Sequence, residues 1–194
     1  MAKKGQGRIK RKTKETNILV DLKLAGKGQG KIQTGISFLD HMLTLMAFHG
    51  GFDLNLCAAG DLEVGDHHTI EDVGICLGKA IRQALESQES ISRYGHAIVP
   101  MDESLVLVAM DFSNRPYLGY AWKPKLPYVE KLEVGLFKEF FKALVNNMGI
   151  ALHIRVLAGE DPHHIIEAMF KGLGRAVKMA GAPERKTLST KGLF

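Results

Sequence analysis

Apolar and polar residues alternate from Lys14 to Ala25, so that Ile18, Val20, Leu22 and Leu24 share one face of a half-buried strand. The glycine-rich stretch Gly26–Gly30 then leads into Lys31–Gly35, and the three pieces together read as a hairpin. From Ser37 to His49 the period becomes helical, with Phe38, Met42, Leu45 and Met46 on one side, Ser37 as N-cap and Gly50-Gly51 as the stop. Phe52–Cys57 alternates again as a short strand. His67–Glu86 then predicts a long helix with Ile70, Val73, Leu77, Ile81 and Leu85 on its apolar stripe.

The same order returns further along. Ser104–Phe112 and Tyr117–Trp122 read as strands joined by the turn Ser113-Asn114-Arg115-Pro116, and a proline-punctuated loop follows. Leu136–Asn147 predicts a helix, Ile150–Leu157 a strand and His163–Ala180 a last long helix. Strand–strand–helix–strand–helix therefore occurs twice, which implies an internally duplicated α+β fold with sheets covered on one side by helices. The expected organisation is a basic N-terminal tail over residues 1–10 and a single domain over 11–194, made of halves at about 11–92 and 93–194.

Chemistry enters with a motif that is repeated too. His67-His68-Thr69-Ile70-Glu71 and His163-His164-Ile165-Ile166-Glu167 each open a predicted helix. Residues four apart share a helix face, so His67 with Glu71, and His163 with Glu167, can each grip a metal ion. His68 and His164 lie roughly 100° further round by the helical period. They fit the other motif's metal better than their own if a pseudo-twofold axis relates the two helices. His41 and His153 can complete two sites of three histidines and one carboxylate, although symmetry does not say which site each joins. Imidazole and carboxylate with open positions suit Mn, Fe, Co or Zn.

Composition changes this picture little. The chain has 194 residues, 45% of them hydrophobic and 24% charged, as expected of one globular domain. Its formal charge of +5 is concentrated at the start, where residues 1–14 hold Lys3, Lys4, Arg8, Lys10, Arg11, Lys12 and Lys14 and nothing acidic. This stretch reads as a solvated, partly disordered lead-in, and the rest of the chain is slightly acidic, so no nucleic-acid partner is expected. No apolar run is long enough for a membrane span or forms a signal peptide, which gives a cytoplasmic expectation. Cys57 and Cys76 lie in apolar contexts outside any CxxC and read as buried free thiols.

Several further segments carry a resemblance. They are Thr13-Lys14-Glu15-Thr16, Phe38-Leu39-Asp40-His41-Met42-Leu43, Asp66–Asp72, Arg93-Tyr94-Gly95, Pro100-Met101-Asp102-Glu103, Leu152-His153-Ile154, His163–Ala168 and Ser189-Thr190-Lys191-Gly192. In this order and spacing, from about Arg11 to the C-terminus, the chain resembles the imidazoleglycerol-phosphate dehydratases, lyases of class EC 4.2.1.19. The resemblance implies a ribosomal protein S5 domain 2-like fold and a stand-alone dehydratase of L-histidine biosynthesis. The implied reaction takes water from D-erythro-imidazole glycerol phosphate to give imidazole acetol phosphate.

It implies two Mn²⁺ per active site, which hold the substrate imidazole as an imidazolate so that the ring can expel the neighbouring hydroxyl through a diazafulvene-like intermediate. One ion would be held by His41, His68, His163 and Glu167, the other by His67, Glu71, His153 and His164. Glu15 would be the acid/base, and His41, His49, Arg93, Arg115, Lys171, Ser189 and Lys191 would contact substrate, several of them at its phosphate. Trimers packed into a homo-24-mer, with sites shared between subunits, complete the expectation. Departures from the family pattern fall at Gly65, at Glu160-Asp161-Pro162 and at Leu188, where they bear on loop geometry.

From the residues themselves, other classes stay open. A dinuclear hydrolase would use the same histidines around a bridging water. A metal-organised storage assembly would need no phosphate grip. Nucleic-acid binding rests on residues 1–14 alone and would show a steep salt dependence.

Overall fold

A computed structural model describes residues 4–185. Its first half runs β1 (Gln6–Lys12), β2 (Thr16–Lys23), β3 (Ile32–Gln33), α1 (Ser37–Gly50), β4 (Asp53–Gly60) and α2 (His67–Glu86). The second runs β5 (Tyr94–Met101), β6 (Ser104–Asp111), β7 (Tyr117–Ala121), the small hairpin β8 (Tyr128–Val129) and β9 (Leu132–Glu133), α3 (Gly135–Met148), β10 (Ala151–Ala158) and α4 (Pro162–Ala180). Each half builds a four-stranded sheet, in the orders β1-β2-β4-β3 and β5-β6-β10-β7. The two orders coincide when each strand of the first half is matched to its counterpart in the second. The α+β duplication expected from the pattern is the observed architecture, with one more strand at the front of each half.

Those extra strands correct the reading of the N-terminus. Gln6–Lys12 is not a disordered lead-in but an edge strand, paired antiparallel with β2 from Gln6↔Lys23 to Lys12↔Asn17. Gly7 is buried and Ile9 packs against the core, while the basic side chains guard an edge that would otherwise invite further pairing. The expected hairpin is also absent. β3 pairs in parallel with β4, through Ile32↔Leu56 and Gln33↔Cys57, so Gly26–Gly30 belongs to a crossover. The Asp53 carboxylate holds that crossover by accepting the N–H groups of Lys27 and Gln29. Ser37 is the first helical residue rather than the cap, which falls on Ile36 without a side-chain bond. Cys76 is buried as expected, but Cys57 is exposed on β4, because it alternates with the inward-facing Leu56 and Ala58.

The helices lie on one face of each sheet and join the halves to each other. α2 packs on β1 and β2 of its own half and on α3 of the other, and α4 packs on β5, β6 and α1. Glycine permits the close approaches. A Cβ on Gly7 would lie 2.0 Å from the Ala80 carbonyl oxygen, and one on Gly95 would lie 1.9 Å from that of Ala176. Both alanines stand thirteen residues after the first histidine of their motif. The C-caps of α1 and α3 match too, with Gly51 and Gly149 in the left-handed region at φ 67° and 76°. One apolar core runs through both halves, from Ile18, Leu39 and Leu77 to Phe137, Phe140 and Phe170.

Candidate metal centre

Both histidine motifs begin their helices as expected, but the starts are built differently. α4 starts on Asp161, whose side chain accepts the His163 N–H, and Pro162 supplies its first turn. The departure at Glu160-Asp161-Pro162 is thus a well-formed helix start. α2 starts after Asp66 with no side-chain cap, and Gly65 before it takes φ 150°, a conformation that side chains rarely adopt.

α1 and α4 lie side by side, and their N-terminal turns bring three predicted ligands together. Ligand atoms of His41, His163 and Glu167 all lie within 4.8 Å of one another. Glu167 Oε2 is 3.6 Å from His41 Nε2 and 3.5 Å from His163 Nε2, and its side chain is only 9% exposed. Phe38 packs edge-on against the His163 ring, with centroids 5.0 Å apart, and limits its rotation. Lys171, one turn along from Glu167, donates to Oε1 at 2.6 Å. Burial alone would raise the Glu167 pKa, but the hydrogen bond from Lys171 and the charges of Lys171, His41 and His163 outweigh it, so the carboxyl stays below its ordinary value. His49 lies further along the same helix pair. Its pKa is lowered, first by burial and then by Lys171 and Arg175. His41, His163, Glu167 and Lys171 therefore meet between the two helices, and His49 feels the charges of Lys171 and Glu167. Imidazoles and a carboxylate at this spacing fit a divalent transition metal.

The other expected ligands are not gathered in the same way. Among the described residues only the triad forms a cluster of three. His67 Nε2 lies 3.6 Å from Glu71 Oε2, the expected i,i+4 pair. His68 turns Nδ1 toward Asp61, at 3.0 Å, and its pKa is raised by that hydrogen bond. His164 turns Nδ1 toward Glu103 Oε2, at 2.7 Å, and its pKa is raised likewise. Glu103 also accepts from the Ser104 hydroxyl and from the N–H groups of Glu160 and Asp161. The hydrogen bond from His164 is the largest of the causes that hold its carboxyl far below the usual range. His153 is exposed on β10, where it alternates with the buried Leu152 and Ile154 and lies against the Tyr117 ring.

The expected substrate residues divide as well. Glu15 is exposed in the turn between β1 and β2, with its backbone fixed by Thr13 and Asp61. Arg93 sits at the far end of α4, bonded through its N–H to the Ala180 carbonyl and through its guanidinium to Asp111, at 2.6 and 3.0 Å. That is about 20 Å from Glu167 along the helix, from the rise per residue. Arg115 is exposed in the turn before β7. Ser189 and Lys191, with Leu188, lie outside the described residues.

The sequence reading gave no role to Asp61, Glu103, Glu130 or Asp72. Glu130 Oε1 is 3.4 Å from His163 Nδ1. Asp72, in the second turn of α2, is buried and accepts from Arg11, at 2.6 Å, and from the Thr16 hydroxyl. The available signal was positional, since Glu15 and Glu103 each stand immediately before the second strand of their half.

A family model described as imidazoleglycerol-phosphate dehydratase matches residues 34–177. A protein of that name from Moorella thermoacetica is 53% identical over 191 residues, covering 96% of each chain. One from Heliobacterium modesticaldum is 54% identical over 188 residues, covering 95% of this chain and 96% of its own. Among solved structures, IGPD from Pyrococcus furiosus in complex with (S)-C348 superposes with a TM-score of 0.86 at 44% identity, over 96% of this chain and 100% of that one.

Proposed function

The chain belongs to the imidazoleglycerol-phosphate dehydratase family, lyases of L-histidine biosynthesis, and we propose that it dehydrates D-erythro-imidazole glycerol phosphate at a two-metal site which several copies complete together. The observation that carries this reading is the meeting of His41, His163 and Glu167 from two helices, three ligands of an expected set of four. The fourth, His68, and the scattered second set of His67, Glu71, His153 and His164 then come together between copies. Trimers packed into a 24-mer would bring them there. Mn²⁺ is the proposed metal, two ions per site. Bound there, it would supply positive charge at the ring nitrogens of the substrate imidazole.

The reaction breaks a C–H bond on the middle carbon of the glycerol chain and the C–O bond on the carbon joined to the ring. The resulting enol becomes the ketone of imidazole acetol phosphate. Glu15 moves a proton, taking it from the middle carbon and returning it to the carbon joined to the ring as the enol becomes the ketone, while the proton released from the enol hydroxyl completes water with the departing hydroxide. Its exposure at a fixed backbone position suits a carboxylate that must meet substrate held by another copy. Lys171 keeps Glu167 ionised as a ligand. Lys171 and His49 lie beside the triad as substrate contacts. Arg93, Arg115, Ser189 and Lys191 grip the phosphate through charge-assisted hydrogen bonds. No helix among the described residues is long and apolar enough to cross a membrane. The biosynthetic role of the family supports a cytoplasmic location as part of the proposal.

The test is turnover by purified protein stripped of metal and then given Mn²⁺. Imidazole acetol phosphate formed only after metal is restored is the expected result. No product with metal restored and the assembly intact would overturn the reading.

A further inference from the structure

The two histidines of each motif are held differently, although His163 also has Nδ1 3.4 Å from Glu130 Oε1. The first, His67 or His163, turns Nε2 to the glutamate one turn on. The second, His68 or His164, turns Nδ1 to a carboxylate from outside its helix, Asp61 or Glu103. An Nδ1–H donated to a carboxylate fixes the tautomer and leaves the Nε2 lone pair pointing away along the ring, as a ligand requires. Asp102 Oδ2 lies 3.6 Å from His164 Nε2, beyond hydrogen-bond length, on a side chain that is 70% exposed.

We propose that Asp61 and Glu103 are positioning residues, which orient His68 and His164 with Nε2 toward metal and make each imidazole a stronger donor. The proposal rests on the two-metal reading above. The two carboxylates come from different places. Asp61 follows β4 in the loop to α2, and Glu103 lies in the turn between β5 and β6. Each is fixed by hydrogen bonds of its own. The Asp61 backbone N–H donates to the Glu15 carbonyl, and its own carbonyl accepts from Val64 and Gly65. The Glu103 side chain is tied to Ser104 and to two backbone N–H groups of the loop before α4. Because His68 and His164 belong to different proposed metal sites, each carboxylate supports a different ion.

The experiment is a Mn²⁺ binding isotherm on the intact assembled protein, with free Mn²⁺ read by electron paramagnetic resonance. Asp61→Asn and Glu103→Gln should each weaken one of the two ions per chain by about 10–100-fold and leave the other as in wild type. Asp161→Ala removes the cap on the His163 N–H but keeps the backbone N–H that Glu103 accepts and the bond from Glu103 to the His164 ring, so it should keep both ions. Equal loss in Asp161→Ala and Glu103→Gln would make Glu103 a loop clamp and overturn its assignment. If Glu103→Gln does not assemble, Asp61→Asn decides the matter, since among the described residues the Asp61 carboxylate accepts hydrogen bonds from His68 alone. Wild-type affinity in both variants overturns the positioning roles alone. A wild-type protein that takes up no Mn²⁺ overturns them together with the two-metal reading.

Discussion

The turn between β1 and β2 and the turn between β5 and β6 occupy the same place in the two halves, and each presents a glutamate immediately before the second strand. In the second half, Glu103 is locked by four donors and holds His164. In the first, His68 is held by Asp61 instead, and the Glu15 carboxylate accepts no hydrogen bond among the described residues. Below the turns the contrast is just as specific. Arg11 pairs across to Ile18 and Val99 to Val106, so Arg11 and Val99 are counterparts, as are Asp72 and Ala168 on the helices. The first half fastens strand to helix with ions where the second uses apolar packing. A duplicated scaffold can divide the labour in this way. One copy of a position becomes rigid support, and the other is left without hydrogen bonds once a neighbouring loop takes over the support.

The sharpest test of that division is to neutralise the two glutamates separately. Glu15→Gln should lower kcat by about 10²–10⁴-fold, the usual worth of a general acid/base. Its Mn²⁺ isotherm should match wild type, because Glu15 holds no proposed ligand. Steady-state kinetics beside metal titration separate it from Glu103→Gln, whose first defect is in metal uptake. A Glu15→Gln enzyme with near wild-type kcat would end the idea that the free glutamate is the catalytic one.

The ionic fastening predicts a smaller effect, on stability. Asp72→Ala leaves the Arg11 guanidinium without its carboxylate and the buried Thr16 hydroxyl with only the longer contact to the Thr13 hydroxyl, at 3.3 Å. Arg11 is 29% exposed and keeps some water, so the loss should be about 2 kcal/mol rather than the 3–5 of a wholly buried pair. Urea denaturation at fixed protein concentration measures it. Writing the second half's residues into the first, as Arg11→Val with Asp72→Ala, should recover most of the loss, since apolar replacement of a buried pair is often neutral. A double variant no more stable than Asp72→Ala would show that the two halves are not interchangeable at this contact.

How much of this was legible in the sequence follows from which forces are local. The long helices read almost to the residue, because His67–Glu86 and Pro162–Ala180 bury one continuous stripe. β1 was hidden because its basic residues face solvent at a sheet edge, where charge rather than alternation dominates the local pattern. The hairpin reading failed because β3 has two residues, too few for periodicity to say which strand they pair with. His41 could be joined to His163 and Glu167 only through the resemblance, since the packing of α1 on α4 is a long-range contact. Asp61, Glu103 and Asp72 were invisible as partners for the same reason. An acidic residue in a loop reads as solvated until the fold sets an imidazole or a guanidinium against it.

The helix starts give the smallest and most local comparison. Asp161, extended and two residues before its histidine, caps α4 through the His163 N–H, whereas Asp66, helical and one residue before its own, precedes α2 without a side-chain bond. Asp161→Ala should therefore cost about 1 kcal/mol, the usual worth of an N-cap, and Asp66→Ala close to nothing. For a chain of this length, about 2–4 °C in Tm per kcal/mol makes the difference readable by calorimetry on the metal-free protein. Omitting metal matters, because bound Mn²⁺ would stabilise both helix starts by mass action and mask the caps. Equal losses in the two variants would mean that Asp66 closes onto its own helix in solution, and that the contrast between the two starts does not extend to their caps.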